Sequence, residues 1–179
     1  YAPLATLLYM NRPAAHTPVS WQEEDRLDEL GIESSTWSAE LRPLFARAIE
    51  ATYLDTLDCP DLVGTRSIDD VIAGHMATGT FDPALWRVYH RDHDPVAVTL
   101  FAAVQDESTY ELVYLGVCPN HRGRGIAGQV LRRGLIQLAG LGAKRIYLAV
   151  DQENTPARRL YAALGFRGMS RKVALINTL

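Results

Sequence analysis

The stretch LVYLGVCPNHRGRGIA, residues 112–127, limits what this 179-residue chain can fold into more than any other segment. It begins as a strand, passes through Arg122-Gly123-Arg124-Gly125, and runs at once into an amphipathic helix. Over 125–138, Ala127, Val130, Leu131, Leu135 and Leu138 keep to one face, as in a helix laid on a core. A helix that opens out of a strand leaves its first amides unpaired, and its macrodipole adds about half a positive charge there. Glycines let that backbone approach a ligand closely, and two arginines add charge. The loop is therefore expected to bind an anion such as a pyrophosphate.

Gly123, Gly125 and Gly128 also spell the dinucleotide fingerprint G-x-G-x-x-G, with Asp151 imitating its ribose-binding acid. Three features argue against that reading. Residues 118–122 separate the strand from the first glycine, and Asp151 lies well beyond the usual spacing of roughly 20 residues. The stretch after Asp151 is also too short for the further βαβ units of that fold. A nucleoside triphosphate loop is excluded because no Gly-Lys-Ser/Thr follows.

The rest of the chain reads as mixed helices and strands. Leu4–Met10 is a short apolar strand, and residues 11–36 are expected to be irregular. Pro43 opens a helix whose Leu44, Phe45, Ala48, Ile49 and Thr52 share a face. Ser67 with Asp70 forms a capping-box pattern ahead of Ile68, Val71, Ile72 and Met76. Two strands, 85–90 and 96–104, flank the turn HRDHDP, and 110–117, 145–150 and 169–176 are further strands. Thr155 and Pro156 start a short helix that Gly165 ends. The predicted fold class is α+β, a mixed sheet flanked by helices.

Two motifs carry a family resemblance. Leu115-Gly116-Val117-x-Pro119 followed by Arg122-x-x-Gly125-x-Ala127 resembles the acetyl-coenzyme A signature of the GNAT superfamily. Downstream, Asn154-x-x-Ala157-x-x-Leu160-Tyr161-x-x-x-Gly165-Phe166 is similar to the next motif of that family at every one of those positions. The resemblance implies a central, mostly antiparallel sheet in which a splayed strand pair holds acyl-CoA. It implies that Leu115, Gly116 and Val117 pair with the pantetheine arm. Arg122, Gly123, Arg124, Gly125, Ile126 and Ala127 would then hold the pyrophosphate. Residues 37–179 would form the GNAT domain. Residues 1–36 are either a lead with this domain's own first strand or a remnant of a preceding GNAT-like half.

Acyl transfer from a thioester to an amine expels a thiolate, and a phenol can return a proton to it. Tyr161 is the candidate acid, the alternative being a core tyrosine on the face of Ala157 and Leu164. Asn154 is placed to bond the pantetheine chain, or simply to cap the helix. Glu111, on the strand before the loop, is a candidate base, directly or through water. His90, Asp92, His93 and Asp94 sit in a turn where polar residues are ordinary, so no metal is expected. Cys118 precedes a proline in a bend and reads as structural.

Charge adds the acceptor side. Residues 1–94 carry 16 acidic and 7 basic side chains, and residues 95–179 carry 5 and 11. The acidic, aromatic stretch TYLDTLDCPDLVG, with Tyr53, Asp55, Asp58 and Asp61, is expected to meet an amine-bearing small molecule or peptide. No basic, aromatic-interleaved patch suggests nucleic acid, and no apolar run suggests a membrane span. Two cysteines make no disulfide framework, which fits a reduced, cytoplasmic setting, and a homodimer is compatible with such a domain.

Overall fold

The computed structural model describes residues 2–16, 20–23, 25–104, 106 and 108–176. Its strands are β1 (Ala2–Pro13), β2 (Glu33–Thr36), β3 (Trp86–Arg91), β4 (Asp94–Ala103), β5 (Thr109–Val117), β6 (Arg145–Asp151) and β7 (Arg167–Ile176). They form one sheet in the order β2-β3-β4-β5-β6-β1-β7. Only β5 and β6 run parallel. The helices are α1 (Ser20–Glu23, a single turn), α2 (Arg42–Tyr53), α3 (Ile68–Met76), α4 (Ile126–Gly140) and α5 (Thr155–Ala163).

Each face of the sheet has its own core. Phe45, Ala48 and Ile49 of α2 and Val71 and Ile72 of α3 pack with Trp86, Val88, Val98 and Leu100. On the other face Leu131, Leu135 and Leu138 of α4 meet Phe101, Tyr110, Leu112, Ile146 and Leu148, and Tyr161 of α5 joins them. A fully buried side chain of this kind contributes roughly 1.5–3 kcal/mol. The helices start where the sequence signals. Pro43 lies in the first turn of α2, and the Ser67 hydroxyl accepts from the Asp70 amide at 3.1 Å to cap α3. The β3–β4 hairpin turns on Asp92 and His93, both at positive φ (48° and 67°), as a two-residue type I′ turn requires.

The stretch expected to be irregular is partly ordered into the sheet. Glu33–Thr36 pairs with β3 as β2, and Leu27 and Ile32 beside it are fully buried. ESST has no apolar alternation to announce a strand, so its conformation comes from the neighbour it pairs with. The N-terminal strand is longer than its apolar run and lies between β6 and β7, antiparallel to both. Buried Arg12 closes this arrangement. Its guanidinium donates to the Leu164 carbonyl at the end of α5 at 2.8 Å and lies over the rings of Trp21 and Phe166.

Thr52 of α2 rests directly on Gly116 of β5. A Cβ placed on Gly116 would lie 2.5 Å from the Thr52 hydroxyl oxygen and 2.6 Å from its Cβ. Gly116→Ala is thus expected to push α2 off the sheet and destabilise the chain by about 1–3 kcal/mol, the usual cost of overpacking. A urea melt checks this, and an unchanged midpoint would mean that α2 yields without cost.

Candidate active site

The central event in the site is the parting of two strands. β5 and β6 pair from Thr109↔Arg145 only as far as Leu112↔Leu148. Beyond that point β5 stays with β4, and β6 stays with β1. The split coincides with a bulge. Leu112 pairs with Phe101 and Tyr114 with Leu100, leaving Val113 as the extra residue. The bulge reverses the alternation, so that Tyr110 and Leu112 pack toward α4 while Val113 and Tyr114 pack toward α2 and α3. Leu115, Gly116 and Val117 then run along the gap with their β6-facing backbone groups unpaired by the sheet.

A cavity of about 700 Å³ fills that gap. Leu115, Gly116 and Val117 line one side, and Val150, Asn154, Ala157, Leu160 and Tyr161 line the other. Gly123, Gly125, Ile126 and Ala127 close one end, and Thr52, Asp55, Asp58 and Tyr114 also line it. Gly123 (φ 72°) and Gly125 (φ 77°) take left-handed conformations that turn the chain into α4. Gly125 is the N-cap residue without a side chain, and a Cβ built on either glycine would meet only open space. A helix N-terminus with bare backbone at a cavity mouth is a fitting cradle for a phosphate group. The parted strand offers amide-length pairing to an extended chain.

The structure brings most of the expected residues together and relocates some. Arg122 lines the cavity, but its guanidinium is turned onto protein carbonyls: Val117 (2.9 Å), Thr52 (3.0 Å), Leu54 (2.7 Å) and Asp55 (3.2 Å). It therefore caps the C-terminal end of α2, where the helix dipole favours a cation, and joins the glycine loop to residues 52–55. Arg122→Ala is expected to lower the thermal midpoint by roughly 3–8 °C through these lost charge-assisted bonds. A midpoint within a degree of native would show that the clamp holds nothing. Arg124 is exposed on the loop and does not line the cavity. Asn154, rather than Thr155, is the N-cap of α5, and its side-chain oxygen accepts from the Ala157 amide at 3.2 Å.

Tyr161 is buried, and burial with the nearby Asp58 charge raises its pKa well above that of an ordinary phenol. Glu111 lies outside the cavity lining, on β5 before the split, where burial raises its pKa. Asp55 and Asp58 face the cavity. Tyr53 stands behind them, edge-on to Tyr114 with ring centroids 5.7 Å apart, and Asp61 sits exposed in the Pro60–Leu62 turn. Burial and three surrounding aspartates push the Cys59 thiol up to about 11, and burial also raises Cys118, so neither is an activated thiolate. Sequence reasoning missed Thr52 and Tyr114 as lining residues. Thr52 read as part of an apolar stripe, and the bulge that turns Tyr114 inward has no sequence signature.

A sheet parted over a glycine-opened helix, with a second short helix on the far side of the gap, is the architecture of solved GNAT structures. The Acetyltransferase (GNAT) family model matches residues 31–166, and the chain belongs to that family. The mycothiol acetyltransferase of Thermobifida fusca is 30% identical over 169 residues, covering 92% of this chain and 49% of that protein. A GCN5-related N-acetyltransferase from Sphaerobacter thermophilus superposes with a TM-score of 0.67 at 21% identity, covering 97% of this chain and 51% of that one. A GNAT family acetyltransferase from Brucella melitensis in complex with acetyl-CoA gives a TM-score of 0.56 at 20% identity, covering 78% and 87%. The chain spans about half or less of the length of the mycothiol acetyltransferases it matches. Among the described residues, no helix is long and apolar enough to cross a membrane.

Proposed function

We propose that the chain binds acetyl-CoA between β5 and β6 and transfers the acetyl group to a primary amine by direct attack in a ternary complex. The observation that carries this reading is the strand split lying against the open N-terminus of α4, with Tyr161 inside the same cavity. The backbone of Leu115–Val117 would pair with the pantetheine arm. The amides of Gly123–Ala127 would hold the pyrophosphate, with Arg124 adding charge at the rim and Arg122 bracing the loop from behind. Acetyl-CoA supplies a thioester whose carbonyl carbon accepts the amine. Tyr161 keeps its proton at neutral pH and gives it to the departing sulfur as charge develops there.

Direct attack is favoured over an acyl-cysteine route by the raised thiol pKa values. On the acceptor side, Asp55 and Asp58 give the cavity a negative lining that attracts an ammonium group. The name of the relatives, mycothiol acetyltransferase, supports a small-molecule acceptor. Both cysteines are free, which fits a cytoplasmic setting. The test is release of free CoA from acetyl-CoA with glucosamine, cysteamine, spermidine and a peptide N-terminus as acceptors. Transfer to any of them supports the reading. Tight acetyl-CoA binding with no transfer to any would instead define a CoA-binding regulatory module.

A further inference from the structure

We propose that Asp58 is the catalytic residue that takes the proton from the acceptor's ammonium group, and that Asp151 is the positioning residue that holds it on the cavity wall it shares with Tyr161. The proposal rests on the acetyltransferase reading above and goes beyond it by naming the base.

The geometry is a reciprocal latch between two segments far apart in sequence. One carboxylate oxygen of Asp58 accepts the backbone amide of Asp151 at 3.0 Å. In return, one oxygen of Asp151 accepts the backbone amide of Cys59 at 3.2 Å, and the other accepts the amide of Glu153 at 3.0 Å. Asp151 is buried at the end of β6, next to the residue that begins the turn into α5. The loop after α2 is thereby fixed to the turn that leads to Asn154 and Tyr161. Cys59 adopts a left-handed backbone (φ 46°) to make its side of the latch. A non-glycine residue held in that region needs surroundings that hold it there.

The latch leaves Asp58 on the cavity wall with Tyr161 and Tyr114. Its charge is felt by Tyr161 of α5, Tyr114 of β5, Tyr53 of α2 and Cys59 of its own loop, and Asp58 itself feels the charge of Asp151. The cations whose charge reaches this group of residues are Arg66, at Tyr53, and Arg122, at Tyr114. A carboxylate among phenol rings is a favourable seat for an organic ammonium, which gains both ion pairing and cation–π attraction. Burial raises the Asp58 pKa, the hydrogen bond from the Asp151 amide holds part of that rise back, and the Asp151 charge adds to it, so the net direction is toward the range of an effective base. Glu111, the other carboxylate weighed for this role, is outside the cavity lining.

The step balances as follows. The ammonium nitrogen gives one proton to Asp58, and the freed lone pair forms the C–N bond to the thioester carbonyl carbon. The C–S bond breaks, the sulfur takes the Tyr161 proton, and the nitrogen loses its second proton to restore Tyr161. Asp58 returns its proton to solvent. Burial is the larger cause of the raised Tyr161 pKa, and protonating Asp58 removes the smaller one, its charge, so the base step eases the acid step.

The experiment uses the full chain with acetyl-CoA and the four amines named above. Asp58→Asn is expected to lower kcat/KM for the best amine by roughly 10²–10⁴-fold, the usual weight of general-base catalysis. It should leave acetyl-CoA affinity by calorimetry within about twofold, which also shows that the variant is folded. It should remove the fall in kcat/KM toward acid pH, and Asp58→Glu should restore part of the rate with that limb present. Asp151→Asn should displace the limb rather than abolish it. Carbon-13 NMR titration of the aspartate carboxyls without acetyl-CoA should show the Asp58 signal titrating above the ordinary aspartate range and moving when the best amine is added. An active Asp58→Asn protein with an intact acid limb overturns the assignment, as does a Glu111→Gln protein that alone loses that limb. A native protein that binds acetyl-CoA but acetylates none of the amines overturns the functional reading itself, and this proposal with it.

Discussion

Gly125→Val is expected to weaken acetyl-CoA binding by about 100-fold or more while the chain stays folded. Two effects combine. Gly125 sits at φ 77°, where an L residue costs roughly 1–2 kcal/mol and a β-branched one more. The new side chain would also stand in the open space beside the first amides of α4, the place assigned to the pyrophosphate. Because a Cβ there meets no protein atom within 4 Å, the loss falls on ligand approach rather than on packing. Calorimetry with CoA and a thermal melt read the two parts separately. Native affinity in a folded variant would mean that the phosphates bind elsewhere.

Tyr161→Phe is expected to lower kcat by roughly 10²–10⁴-fold and to leave acetyl-CoA affinity close to native. The ring packs 5.9 Å from Phe166 by centroid and lies within the apolar cluster under α4, so phenylalanine keeps that packing. Only the hydroxyl is lost, and its proposed task arises when sulfur departs. Single-turnover measurement on the best acceptor checks it. Undiminished turnover would return Tyr161 to the status of a core residue.

The two motifs were legible because local chemistry dictates them. A helix opened by glycine behind a strand, and a capped helix ending at Gly165 (φ 85°), need particular residues at particular spacings. The parts that escaped depend on partners distant in sequence. Glu33–Thr36 is a strand only because β3 lies beside it. The bulge at Val113 that turns Tyr114 toward α2 is set by pairing with β4, and no residue type marks it. Arg122 read as a charge for the ligand, yet the end of α2 and the two residues just past it present three carbonyls within its reach. Asp58 read as one of several acidic loop residues. What separates it from Asp55 and Asp61 is the Asp151 amide, contributed 93 positions away.

The place of β1 in the sheet has a consequence for how the molecule assembles. On the ribosome this strand emerges well before both its neighbours, β6 and β7, which lie far downstream in the sequence. The hydrogen bond from Arg12 to Leu164 closes a separation of 152 residues. Contacts of that span are slow to form, and they leave an apolar strand exposed while the chain waits for its partners. α5, which carries Tyr161, is tied down through the same strand. The cavity wall built by β6 and α5 is thus held in place only once β1 has found these distant partners.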